Sequence, residues 1–129
     1  MKLVAGAAKG GREGMRERQR REQAAARPLR EIYPGVATLR FDFKYSADMH
    51  PLPAPQSRVL HPPANAYFTF PCPFSECAGH FDLAAQVRDL LRANGTHATG
   101  TMDCCGERVH PQGRSGCRLK LEYSLEVTR

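Results

Sequence analysis

The 129-residue sequence predicts an α+β protein: a small antiparallel sheet of about four strands, one packed helix and a disordered basic N-terminal arm. Three observations support this prediction. Two long segments alternate apolar and polar residues, one segment repeats apolar residues at helical spacing, and residues 1–30 contain almost no bulky apolar side chains. We therefore divide the chain into an arm, residues 1–30, and a folded domain, residues 31–129.

The arm carries the net charge of the whole chain. Residues 1–30 contain nine Lys and Arg against three Glu, a net charge of +6, whereas residues 31–129 contain ten basic and ten acidic residues. The arm buries too little apolar surface to offset its ordering entropy, although Arg, Glu, Gln and Ala would favour a helix against a partner. Its charge predicts contact with nucleic acid through Arg16, Arg18, Arg20 and Arg21. A merely solvated extension is the alternative.

The first two strands are separated by a long proline-rich segment. Residues 36–45 alternate, with Leu39, Phe41, Phe43 and Tyr45 on one face, as expected of a half-buried strand. Residues 48–65 contain five prolines, which exclude a helix interior or a central strand and predict a connecting loop. Residues 66–70 form the second predicted strand, which Pro71 ends.

The remaining elements are a helix and two strands. Residues 80–95 predict an amphipathic helix with Asp82 as N-cap, Gly95 as stop and an apolar stripe of Leu83, Val87, Leu90 and Leu91. A short strand is predicted at residues 99–104. Residues 118–128 alternate most clearly, with one face formed by Leu119, Leu121, Tyr123, Leu125 and Val127.

The cysteines fall at strand ends, where short turns can deliver metal ligands in pairs. Cys72 and Cys77 follow the second strand, Cys104 ends the third and Cys117 begins the fourth, so a hairpin of the last two strands would bring the pairs together. Successive strand residues point to opposite faces, so only one of Cys104 and Cys105 faces the metal, and we favour Cys104. The predicted ligands are Cys72, Cys77, Cys104 and Cys117.

The cysteine pattern is also compatible with roles apart from a four-thiolate site. His80 or His110 could replace one thiolate, and the cysteines could instead be small buried apolar residues, disulfides or a redox pair. Four thiolates close the coordination shell of zinc, which predicts a structural and not a catalytic ion. We therefore expect a non-enzymatic protein, with a cysteine- or zinc-dependent enzyme as the alternative.

Residues 66–128 resemble a zinc ribbon. The resemblance rests on two cysteine-bearing turns joined to antiparallel strands and on the phrase formed by Cys72, Pro73, Cys77 and Gly79. The paired cysteines are separated by four and twelve residues, where zinc ribbons mostly have two, and a helix lies between the halves. Together with the basic arm, the resemblance implies a structural zinc module that binds nucleic acid or a nucleic-acid-associated complex. A protein-interaction or assembly subunit is the alternative.

The apolar segments are too short for a membrane-spanning helix. No stretch approaches the roughly 18 apolar residues that cross a bilayer, and the opening MKLVAGAAKGG is too short for a signal peptide. We expect a cytoplasmic protein without a membrane partner. In such a reducing compartment, clustered cysteines favour metal binding over disulfides.

Overall fold

A computed structural model describes residues 11–47, 52–74, 77–104, 106–110 and 113–129. Their fold is α+β, as predicted, with a four-stranded antiparallel sheet, two smaller hairpins and several helices. The helices are α1 (Gly11–Ala25), α2 (Leu29–Ile32) and α3 (Ala84–Arg92). The strands are β1 (Thr38–Ser46), β2 (Gln56–Leu60), β3 (Thr69–Pro71), β4 (His80–Asp82), β5 (His97–Asp103), β6 (Glu107–His110), β7 (Gly113–Gly116) and β8 (Lys120–Thr128).

The main sheet has the strand order β2-β1-β8-β5, and every neighbouring pair is antiparallel. The central strands β1 and β8 are the two segments with the clearest alternation. Their register places Phe41 opposite Leu125, so the predicted apolar faces of the two strands coincide. One face of the sheet therefore supplies buried core residues, which include Leu39, Phe41, Phe43, Leu121, Leu125 and Val127.

The proline-rich segment contains a strand where the sequence predicts a connecting loop. It contains β2, which pairs with β1 over five residues and forms one edge of the sheet. The strand fits between Pro55 and Pro62 because residues 56–60 contain no proline. The predicted loop is therefore wrong for residues 56–60, while residues 48–51 lie outside the described part of the chain.

The second predicted strand is shorter and lies outside the main sheet. It is β3, which pairs with β4 and, among the described residues, with no other strand. Phe70 of β3 nevertheless packs against the sheet, with its ring centroid 5.0 Å from that of Phe41 and 4.9 Å from that of Phe43. The hairpin thus adds aromatic rings to the core.

The helix α3 lies inside the predicted range, residues 80–95, and packs Val87 and Leu90 into the core. It begins later than predicted, because residues 80–82 form β4 and the N-cap is Leu83 and not Asp82. Asp82 accepts a hydrogen bond of 2.9 Å from the N–H of Ala84, the first helical residue. The helix ends in a Schellman motif, in which the N–H of Gly95 bonds to the carbonyl of Leu90. Gly95 thus acts as the predicted stop, and the positive φ of the motif, 55°, belongs to the preceding residue, Asn94.

The basic arm is helical in its described part, in contrast to the predicted disorder. Residues 11–25 form α1, and the amide of Asn65 donates a 2.7 Å hydrogen bond to the backbone carbonyl of Gln23. Gln19 is buried, and Leu29 beyond the helix is fully buried in the core. These contacts explain why a segment of good helix formers adopts a helix here. Residues 1–10 of the predicted arm lie outside the described residues, and the division at residue 30 stays a prediction.

In the parts of the chain that the structure describes, no helix is long and apolar enough to cross a membrane.

Candidate metal centre

Four cysteine sulfurs meet between the two small hairpins. The Sγ atoms of Cys72, Cys77, Cys104 and Cys117 all lie within 4.8 Å of one another. The Cys72–Cys117 distance is 3.8 Å and the Cys77–Cys104 distance is 3.5 Å. Tetrahedral zinc with bonds of about 2.3 Å requires sulfurs about 3.8 Å apart, whereas a disulfide bond is about 2.05 Å long. The four side chains are therefore free thiols with the spacing of a tetrahedral metal site.

The first pair of cysteines lies in the turn of the β3–β4 hairpin. Cys72 follows β3 directly, and its N–H donates a 2.9 Å hydrogen bond to the carbonyl of Gly79. The N–H of Gly79 in turn points at the Cys77 sulfur, 3.2 Å away. Residues 77–79 have the sequence Cys-x-Gly and form a tight turn in which the glycine N–H points at the cysteine sulfur. We call such a Cys-x-Gly turn a knuckle.

The second pair repeats this arrangement in reverse chain order. Cys104 follows β5, and the N–H of Gly106 lies 3.4 Å from the Cys104 sulfur. Cys117 donates its N–H to the carbonyl of Gly106 at 2.9 Å, just as Cys72 does to Gly79. Between these two cysteines the chain forms the β6–β7 hairpin. Each half of the site therefore combines one Cys-x-Gly knuckle with one further cysteine.

The two knuckles touch through their glycines. A Cβ atom added to Gly79 would lie 2.5 Å from the Cys104 sulfur and 2.7 Å from the nitrogen of Gly106. A Cβ added to Gly106 would lie 2.6 Å from the Cα of Gly79 and 2.8 Å from the Cys77 sulfur. Only residues without a side chain let the two halves approach this closely, so both glycines help to bring the sulfurs together.

The pKa values of the Cys77 and Cys104 thiols are raised in the absence of a cation. Burial raises the pKa of Cys77 to about 12. The neighbouring Cys72 thiol raises the pKa of Cys104, and burial raises it further. In both cases the glycine N–H that points at the sulfur acts in the opposite direction and favours the thiolate. A bound cation would supply the remaining stabilisation that four adjacent thiolates need.

All four predicted cysteines are thus brought together, although their role as ligands stays a prediction. Cys105 and the side chain of His110 lie outside what the structure describes. His80 is half-exposed, and it does not belong to the four-residue cluster found among the described residues. The contact between the two glycines is not among the sequence predictions, although the repeated Cys-x-Gly spacing at residues 77–79 and 104–106 is a signal that could have indicated it.

The predicted nucleic-acid residues lie on α1. Arg18, Arg20 and Arg21 are exposed, whereas Arg16 is partly buried. Gln19 faces the rest of the protein, so the three exposed arginines lie away from the contact between α1 and the domain.

No family model matches the chain, and comparisons with curated proteins and with solved structures give no match either. The fold and the site define its class: a small α+β protein whose four clustered cysteines can hold a metal ion. This arrangement is compatible with a zinc-ribbon-like fold.

Proposed function

We propose that the four cysteines bind one structural zinc ion and that the protein is a non-enzymatic nucleic-acid-binding module. The observation that carries the metal proposal is the group of four buried sulfurs held within 4.8 Å by two Cys-x-Gly knuckles. Cys72, Cys77, Cys104 and Cys117 would hold the ion. Four thiolates suit zinc and leave no coordination position for water, which favours a structural over a catalytic role.

The charge distribution supports nucleic acid as the partner and α1 as the contact. Residues 31–129 have no net charge, and four thiolates with one zinc ion would change this value to 0 − 4 + 2 = −2. Attraction to a polyanion must therefore come from residues 1–30, whose net charge is +6. Arg18, Arg20 and Arg21 are exposed on α1 and can contact phosphates. The hydrogen bond from the Asn65 amide to the Gln23 carbonyl holds this helix against the domain.

The proposal predicts salt-dependent binding that is lost when the exposed arginines of α1 are changed. We expect the triple variant Arg18→Gln, Arg20→Gln and Arg21→Gln to bind oligonucleotides at least about tenfold more weakly than the wild type. Each lost phosphate contact should also reduce the slope of log K against log salt by roughly 0.9 for duplex DNA. Fluorescence anisotropy with labelled duplex DNA and single-stranded RNA, from low to physiological salt, measures both quantities.

A second triple variant provides the control for net charge. Arg92, Arg118 and Arg129 are also exposed, but all three lie outside α1. Changing them to glutamine removes the same charge and should leave both affinity and salt slope nearly unchanged. Equal losses in the two triple variants would contradict a specific role for α1, and absence of binding by the wild type would contradict a nucleic-acid partner.

A further inference from the structure

We propose that the free edge of β5 pairs with the same edge of a second copy of the chain, giving an antiparallel dimer centred on Gly100. β5 is the last strand of the order β2-β1-β8-β5. Among the described residues, no strand pairs with its outer side. A seven-residue edge of this kind presents unpaired backbone groups that can extend the sheet.

The backbone groups that face outward follow from the register with β8. The N–H of Val127 bonds to the carbonyl of Thr96 at 2.8 Å, and the N–H of Cys104 bonds to the carbonyl of Leu119 at 3.0 Å. Hydrogen-bonded pairs alternate along an antiparallel ladder, so the even-numbered residues of β5 bond to β8. The residues whose N–H and C=O groups point to the free edge are therefore His97, Thr99, Thr101 and Asp103.

This edge is complementary to itself. Antiparallel pairing about Gly100 places His97 of each copy opposite Asp103 of the other, and the two pairs of opposite side chains are related by symmetry. Both side chains are exposed. The Nε2 atom of His97 lies 3.1 Å from the Ser124 hydroxyl oxygen, so the donor to the carboxylate would be the N–H of the other ring nitrogen, Nδ1. On the same face Thr99 would lie opposite Thr101, and both are also exposed.

The opposite face of the strand is complementary as well. Ala98 and Met102 are partly buried against the hydrophobic core, and the same pairing places Ala98 of one copy opposite Met102 of the other. The apolar core face would therefore continue across the dimer. On the neighbouring strand β8, Glu126 lies opposite His97 and Lys120 lies opposite Asp103. The Nζ atom of Lys120 is 3.8 Å from a carboxylate oxygen of Asp103. In the joined sheet His97 would therefore lie between Glu126 of its own chain and Asp103 of the other copy, with Lys120 of the other copy beside that Asp103.

The other edge of the sheet does not fit a second copy. β2 has only five residues, and Pro55 and Pro62 flank it closely. Self-pairing about its centre would place exposed Arg58 opposite the same arginine of the other copy. Proline and central basic charge are common protections of strand edges, and β5 contains neither. The unprotected and self-complementary edge is therefore β5.

Thr99→Pro tests the dimer directly. The N–H of Thr99 points to the free edge, so proline removes a group that the protein's own sheet does not use. Sedimentation of the 129-residue chain, purified with zinc available, should show a reversible dimer at micromolar to submillimolar concentrations, as expected of a small interface. We expect Thr99→Pro to raise the dimer Kd at least tenfold, and the matched variant Thr99→Val, which keeps the N–H, to leave it nearly unchanged.

A charge exchange tests the register and does not depend on the proline variant. His97→Asp would place two carboxylates opposite each other and should raise the dimer Kd about tenfold. Adding Asp103→His restores the complementary pair and should recover much of the lost affinity. The recovery should be incomplete, because the exchanged side chains lie beside Glu126 and Lys120. The proposal is overturned if the wild type stays monomeric throughout, if Thr99→Pro in its folded form dimerises as the wild type does, or if the exchange fails to rescue.

Discussion

Cys104→Ser is expected to release the metal and to unfold much of the domain, whereas Cys105→Ser should change neither property. The Cys104 sulfur lies 3.5 Å from that of Cys77 inside the cluster. Cys105 lies outside the described residues, and strand alternation predicts that its thiol points away from the site. The two variants remove adjacent thiols and thus form a matched pair.

The expected effect is large because structural zinc supplies much of the folding free energy of a small domain. Apparent binding free energies in zinc-finger peptides are about 10–16 kcal/mol, and the whole stability of a typical domain is about 5–15 kcal/mol. We expect Cys104→Ser to weaken metal affinity by more than about 100-fold, beyond the loss caused by removing an outer-shell partner. Native mass spectrometry and urea unfolding measure the two effects. Metal loss in Cys105→Ser but not in Cys104→Ser would contradict the ligand assignment.

Gly79→Ala and Gly106→Ala are each expected to destabilise the metal centre strongly. The new Cβ atoms would lie within 2.8 Å of backbone atoms and a cysteine sulfur of the opposite knuckle. Backbone atoms cannot rotate away as a flexible side chain can, so the knuckles must separate. We expect losses near the upper end of the usual 1–3 kcal/mol for overpacking, together with weaker metal binding.

Gly35→Ala is the control for the two glycine variants. No atom lies within 4 Å of a Cβ added at Gly35, which should therefore tolerate alanine. Urea unfolding of the metal-loaded proteins gives the free energies, and competition with a metal-binding dye gives the relative affinities. The double variant should cost less than the sum of the single ones, because either substitution alone already separates the knuckles. Wild-type stability in Gly79→Ala and Gly106→Ala would show that the knuckles do not need this contact.

The parts of the fold that could be predicted from sequence are those with a local signal. Alternating residues located β1 and β8, and the spacing of Leu83, Val87 and Leu90 located α3. The four clustered cysteines lie at the ends of predicted strands, and the predicted hairpin of the third and fourth strands places Cys104 near Cys117. Strand alternation allowed only one of Cys104 and Cys105 to face the site, and the favoured Cys104 lies in the cluster found among the described residues.

The parts that were missed depend on contacts between distant segments. β2 is an edge strand between prolines, and only its pairing with β1 distinguishes it from a loop. α1 has the composition of a solvated segment, but contacts with Asn65 and Tyr67 attach it to the domain. The approach of Gly79 to Gly106 joins two halves of the site that are far apart in sequence. The sequence of each segment by itself does not show these contacts, except for the repeated Cys-x-Gly spacing at residues 77–79 and 104–106.

The most direct test of the proposed metal centre is the count of bound metal and free thiols in the wild-type protein. Native mass spectrometry of the 129-residue chain, purified with zinc available, should show one zinc ion per chain. A thiol reagent should then modify only one of the five cysteines until a chelator removes the metal. A folded protein that contains no metal and has five reactive thiols would contradict the proposed metal centre.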